Sequence, residues 1–140
     1  MSSEDRAVAR LAEGKYVLLT TFRKDGRAVP TPVWVAGRGE ELVVWTPADS
    51  GKAKRVRRGG AAGVPAEVGP CDVRGNPTGD SAPCHAVLLD DEGSDQVRAL
   101  IARKYGIVGR LVLLGSRLRR GRTGTVGIAI TLTDQSSTQG

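Results

Sequence analysis

Aromatic side chains are scarce in this 140-residue chain: one Phe, two Trp and two Tyr make up 4% of it. A chain of this length can bury roughly 70% of the surface its unfolded form exposes. Its core must then be built from Val, Leu, Ile and Ala. Potential metal ligands are few. Cys71, Cys84 and the single His85 fit no close ligand spacing, which argues against a metal site. Both Cys84 and His85 read as structural residues. No apolar run approaches the ~20 residues of a membrane span, and the N-terminal MSSEDRAVARL has no apolar signal-peptide core. We therefore expect a cytoplasmic protein with reduced thiols and no membrane partner. Catalytic signatures are missing too: no HExxH, no G-x-S-x-G, no nucleophile–base constellation and no paired carboxylates at a convincing spacing. No catalytic residue stands out, so any reactive atom is expected to come from a cofactor.

What the chain has is glycine and positive charge. There are 19 glycines, and 21 Lys and Arg against 15 Asp and Glu leave a net charge of +6. A basic balance favours an anionic partner, whether nucleic acid, an acidic membrane surface or a phosphorylated small molecule. The pattern of elements is mainly β. Residues 3–13 read as a short helix with Ala7, Val8, Leu11 and Ala12 on one face. KYVLLTTF, RAVPTPVWVA and ELVVWT read as three strands joined by turns at Asp25-Gly26 and at Gly37 to Glu40. A short helix is expected over 50–58. GGAAGVPAEVGP, at 59–70, is so rich in Gly and Pro that any strand there should be short or interrupted. A turn at Gly75 to Gly79 and a strand over 86–91 follow. The clearest helix spans 94–106, capped by Ser94 and stopped by Gly106. Ile107, Leu111, Leu114 and Leu118 continue at helical spacing, with a strand through LVLL as the alternative. Residues 123–132 read as the last strand. Consecutive hairpins favour a small β-barrel with accessory helices. One domain is expected over 1–132, with a disordered tail over 133–140.

The densest charge lies in TPADSGKAKRVRRG, residues 46–59. A strand stops there and a helix starts, and a helix start suits a phosphate. Ser50 and Gly51 sit at that start. Lys52 and Lys54 are close enough to converge on one anion, and Arg55 can grip it bidentately. A P-loop is excluded: no glycine stands five residues before Gly51, and Ala53 follows the lysine where Ser or Thr is required. A solvated basic helix face remains the plain alternative. A second feature is VPTPVWV, residues 29–35. Pro30 and Pro32 cannot donate to a ladder, so this strand should have a free or bulged edge, open to a planar ligand. Trp34 and Trp45 either line a pocket or fill the core, with core packing favoured for at least one.

KYVLLTTFRKDGRAVPTPVWVA, then ELVVWTPADSGKAKRVRR, then CDVRGNPTG, then TGTVGIAITL, resembles the split β-barrel flavin/deazaflavin oxidoreductases, the relatives of pyridoxamine 5'-phosphate oxidase. It looks most like the branch that uses the deazaflavin coenzyme F-420. The resemblance covers residues 10–132. It implies a split β-barrel of the FMN-binding type, a homodimer with the cofactor at the subunit interface, and hydride transfer to a small electrophilic substrate. On matching positions, Pro30, Thr31, Pro32 and Val33 would lie along the ring. Thr46, Ser50, Gly51, Lys52, Lys54 and Arg55 would contact the phosphate-bearing tail. Relatives have a clean strand after the basic helix, and 59–70 departs from that, which predicts a distorted edge.

Three alternatives stand beside this reading. One is an FMN-binding oxidase-like member. Another is a nucleic-acid binder using residues 52–58 and 117–122, disfavoured because neither basic stretch holds an aromatic to stack a base. The last is a tetrapyrrole-binding module, for which His85 is the sole histidine ligand available. Arg57 and Arg58 have no assigned role beyond solvated charge or contact with an acidic tail.

Overall fold

A computed structural model describes the backbone of residues 3–120 and 124–133, and the side chains of 6–106 and 124–133. The elements in chain order are α1 (Ser3–Glu13), β1 (Tyr16–Phe22), β2 (Ala28–Arg38), β3 (Glu41–Pro47), α2 (Gly51–Arg57), β4 (Val64–Pro70), β5 (Ala82–Leu88), α3 (Asp91–Arg120) and β6 (Thr125–Leu132). The six strands close an antiparallel barrel in the order β1-β2-β3-β6-β5-β4. This is the mainly β, split-barrel architecture with accessory helices.

Strand alternation builds the core. Val17 and Leu19 of β1, Val33 and Val35 of β2, Leu42 and Val44 of β3, and Ile128 and Ile130 of β6 point inward and are buried. Val8 and Leu11 of α1 join this cluster, as the helical spacing requires, and so does Val56 of α2. Helix α2 contacts both β1 and β5, which do not pair, so it lies across a mouth of the barrel. A second cluster forms on the outside. There Ala36 and Val43 are covered by Val97 and Ile101 of α3, with Trp34, Trp45, Leu100 and Tyr105 around them.

The Gly/Pro-rich segment corrects the expectation of a short or distorted strand. β4 runs for seven residues, and it pairs with both β1 and β5 to close the barrel. The glycines serve the turn before it. Gly60 and Gly63 have φ of 56° and 76°, and a Cβ on Gly59 would lie 2.2 Å from the Gly63 carbonyl oxygen. Pro65 precedes the stretch paired with β1, which is Glu67–Pro70, and Pro70 is the last strand residue. Neither proline interrupts that ladder.

The prolines of β2 sit on a free edge, and there is no bulge. β2 pairs with β1 from Ala28 to Trp34 without a break, but with β3 only from Val35 to Arg38. The Val35 N–H and C=O both meet the Tyr105 hydroxyl, which also donates to the Lys15 carbonyl at the end of β1. Val35 therefore turns its polar groups toward β1. By two-residue alternation, Pro30 and Pro32 turn theirs to the open side, where no ladder donor is needed.

Helix α3 starts four residues earlier than the Ser94 cap predicts. Asp90 does the capping, its Oδ1 accepting from Gly93 N at 2.8 Å. Ser94 instead lies buried, and its Oγ accepts from Gly127 N of β6 at 2.9 Å. Gly106 breaks the helix at φ 65°, and helical backbone resumes beyond it to Arg120, so the strand alternative for LVLL does not form. Of the expected disordered tail, Thr133 is held by N and Oγ1 donation to the Pro83 carbonyl, each at 3.1 Å. Residues 134–140, and the side chains of the 117–122 basic stretch, lie outside the described residues.

Candidate functional site

The junction between β3 and α2 is built by short polar residues. Ser50 N donates to the Pro47 carbonyl at 3.1 Å, closing the turn. Its side-chain Oγ accepts from Ala53 N at 3.2 Å and lies 3.3 Å from the buried Thr46 Oγ1. Ala53 and Val56 are fully buried and pin the helix to the barrel. Lys52 and Arg55, three residues apart, then share a partly buried face, while Lys54 is left exposed.

Because β2 and β3 pair only beyond Val35 and Val44, they splay apart toward α2. The gap is a cleft of about 220 Å³. Pro32, Val33 and Trp34 line it from β2, Trp45, Thr46 and Pro47 from β3, with Tyr16 and Lys52 at its margins. Trp34 is held from behind by Tyr105, whose ring stacks on it at 4.6 Å between centroids and 10° between planes. Lys104 fixes the same corner. Its Nζ donates to the carbonyls of Ala12, Gly14 and Val35 at 2.5, 2.6 and 2.8 Å, tying the end of α1 to β2. On the opposite wall, the Trp45 Nε1–H is buried and has no hydrogen-bond acceptor among the described residues.

Electrostatics single out Lys52. Burial, and secondarily the Arg55 charge, push its ammonium below the ordinary lysine pKa. No carboxylate forms an ion pair with it among the described residues. The cleft thus offers two indole walls and one desolvated cation. That set fits a flat, partly apolar ring carrying an anionic substituent. At about 220 Å³ the cleft is smaller than the ~300–1,000 Å³ of typical ligand sites, so one chain by itself covers only part of such a ligand.

The structure brings Pro32, Val33, Thr46 and Lys52 together in this cleft, with Ser50 behind Thr46. It separates the rest. Pro30 and Thr31 lie farther along β2, opposite Thr20 and Leu19, and do not line the cleft. Gly51 is exposed under the Arg55 guanidinium, whose Nη1 would sit 2.9 Å from a Cβ there. Arg55 turns away to donate from Nε to Thr21 Oγ1 at 2.7 Å. Arg57 Nη2 donates to the Ala48 carbonyl at 3.2 Å, which gives it a structural contact. Both tryptophans line the cleft and also pack on the outer cluster, so the choice between pocket and core was not exclusive. Tyr105 is legible from sequence only as part of the apolar stripe Val97, Leu100, Ile101 and Tyr105, which does pack on the outer cluster. Its place behind Trp34, and the places of Tyr16 and Lys104, depend on contacts far apart in the chain. Cys84 is buried, and burial, with Glu67 adding to it, pushes its thiol up to about 12. His85 is exposed on β5 and does not line the cleft. No group of three metal-ligating side chains occurs among the described residues, and no helix there is long and apolar enough to cross a membrane.

No protein-family model matches the sequence, and no curated protein does. Solved structures do match. An F-420 reductase is 21% identical with a TM-score of 0.52, over 89% of this chain and 92% of that one. A Listeria innocua protein named as a candidate pyridoxamine 5'-phosphate oxidase is 18% identical with a TM-score of 0.60, over 95% of each chain. HutZ, a haem storage protein from Vibrio cholerae, is 11% identical with a TM-score of 0.62, over 95% of this chain and 92% of that one. What the chain shares with them is the split-barrel fold.

Proposed function

We propose that this protein binds a planar, anionic redox cofactor of the deazaflavin or flavin type in the Trp34–Trp45 cleft, coenzyme F-420 before FMN, and works as an oxidoreductase on a small electrophilic substrate. The observation that carries the reading is Lys52: a desolvated cation without an ion-pair partner among the described residues, at the margin of an indole-walled cleft. Pro32 and Val33 would lie along the ring. Lys52, with Thr46 and Ser50 beside it, would hold the phosphate. Pro30 and Thr31 at the open edge of β2, with Gly51 and Lys54, would meet outlying parts of the ligand, whereas Arg55 is held away from them on Thr21. When bound, a reduced deazaflavin supplies the hydride. The residues of this chain orient the ring and exclude water from one face of it. A second copy of the chain would cover the other face, since the single-chain cleft is too small to enclose a tricyclic ring.

Anaerobic titration with F-420 and FMN in parallel tests this. F-420 is expected to bind with a change in its fluorescence, and more tightly than FMN. Tight FMN binding without F-420 binding would reassign the cofactor, and binding of neither would sink the reading. The exposed position of His85 on β5, outside the cleft, argues against haem ligation there by this residue.

A further inference from the structure

A second, wider groove of about 530 Å³ opens beyond the other end of α2. Phe22, Val64 and Pro65 wall it, and Arg55 and Arg58 stand at it. None of the residues lining the Trp34–Trp45 cleft lines this groove. Its cations are oriented from below. Arg55 Nε is anchored on Thr21 Oγ1 at 2.7 Å, and Arg58 Nη2 reaches the Phe22 carbonyl at 3.5 Å. Each guanidinium keeps further N–H donors beyond the one used. A third guanidinium, Arg23, is near. Desolvation first, then the charges of Arg23 and Arg58, lower the pKa of Arg55. The ion pairs among the described residues are Arg27–Asp25, Arg38–Glu41 and Arg98–Asp95, so no carboxylate pairs with Arg55 or Arg58. Holding like charges together is unfavourable unless an anion intervenes. Arg55 and Arg58 stand at an apolar trough, and Arg23 acts on Arg55 from outside its lining.

We infer that this groove is a binding site for an apolar acid: a molecule with an acyl or aryl body against Phe22, Val64 and Pro65 and a carboxylate on Arg55 and Arg58. The site is independent of the cofactor reading and would operate whether or not the cleft binds a deazaflavin. A neutral molecule of the same shape lacks the charged contact. A small inorganic anion lacks the apolar one.

Calorimetric titration of the full chain with decanoate and with 2-naphthoate tests the assignment, with decanol as the neutral control. One acid per chain is expected to bind, and decanol much more weakly. Arg58→Gln changes an exposed side chain, so folding is not at stake. It should weaken acid binding by about tenfold, the equivalent of ~1.4 kcal/mol for one charged contact. Val64→Trp should block the groove. Lys52→Ala should leave acid binding unchanged while it weakens F-420, which separates this site from the cleft. The assignment is overturned if neither acid binds, if decanol binds as well as decanoate, if Arg58→Gln and Val64→Trp change nothing, or if Lys52→Ala weakens the acids as much as Arg58→Gln does.

Discussion

The ring of Tyr105 lies flat against Trp34, 4.6 Å between centroids and 10° between planes, while its hydroxyl is shared by Val35 and Lys15. One residue from α3 therefore sets a wall of the cleft and closes the end of the β1–β2 ladder. Tyr105→Phe keeps the stack but leaves the Val35 N–H and the Lys15 carbonyl without their partner. It should cost about 1–3 kcal/mol in urea unfolding and change cofactor affinity little. Tyr105→Ala also removes the backing of Trp34, and ligand titration should then show a clear further loss.

Lys52→Ala should weaken an anionic cofactor by about tenfold or more, the loss of one charge-assisted contact. Lys54→Ala should matter much less, because Lys54 is exposed. Equal losses for the two, in a fluorescence titration, would refute the assignment of the phosphate to Lys52.

Affinity should also depend on pH with a definite sign. The free protein holds the Lys52 pKa below 10.5, and a bound anion raises it, so binding takes up a proton. Affinity should be full below the free-state pKa and fall as pH rises through it toward the bound-state pKa. Titrations in buffers of different ionisation enthalpy would detect the uptake, and proton release would contradict it.

The two cysteines should behave differently. Cys84 is buried with its thiol raised from 9.0 to about 12, whereas Cys71 is half-buried and raised mainly by desolvation. A thiol reagent at pH 8 should label Cys71 alone, and slowly, with Cys84 reacting only on unfolding. Because the folded-state pKa of Cys84 is the higher, its contribution is fully present below pH 9.0 and is lost between pH 9.0 and about 12. In that window the slope should approach about 1.4 kcal/mol per pH unit.

Gly127→Ala should destabilise by about 1–3 kcal/mol through overpacking. A Cβ at that position would lie 2.8 Å from Val97 Cγ2, where α3 presses on β6. Trimming Val97 to Ala in the same chain should recover part of the loss, measurable in a double-mutant cycle.

Much of the barrel was legible because local chemistry and final structure agree. Asp25-Gly26 makes its turn with Gly26 at φ 91°, and Gly39, at φ 63°, turns β2 into β3. The Ala7, Val8, Leu11 and Ala12 face of α1 meets the core as its spacing requires. Residues 59–70 were misread because Gly and Pro lower strand propensity, yet pairing with β1 and β5 outweighs propensity. Ser94 was misread as a cap because the acceptor role it fills, for Gly127 N, comes from a residue 33 positions away.

Sequence periodicity was enough to determine that Ala53 and Val56 face inward and leave cations on the outer faces of α2, since a helix offers no other arrangement. It also marked Pro30 and Pro32 as an unpaired edge, because proline has no N–H to pair. Only the tertiary structure decided what these features serve. The distance at which β2 parts from β3 places Lys52 at the indole-walled cleft, and Thr21 draws Arg55 to a different groove. Both outcomes depend on how far apart the strands stand, a quantity fixed by barrel closure and by α3, not by any local run of residues.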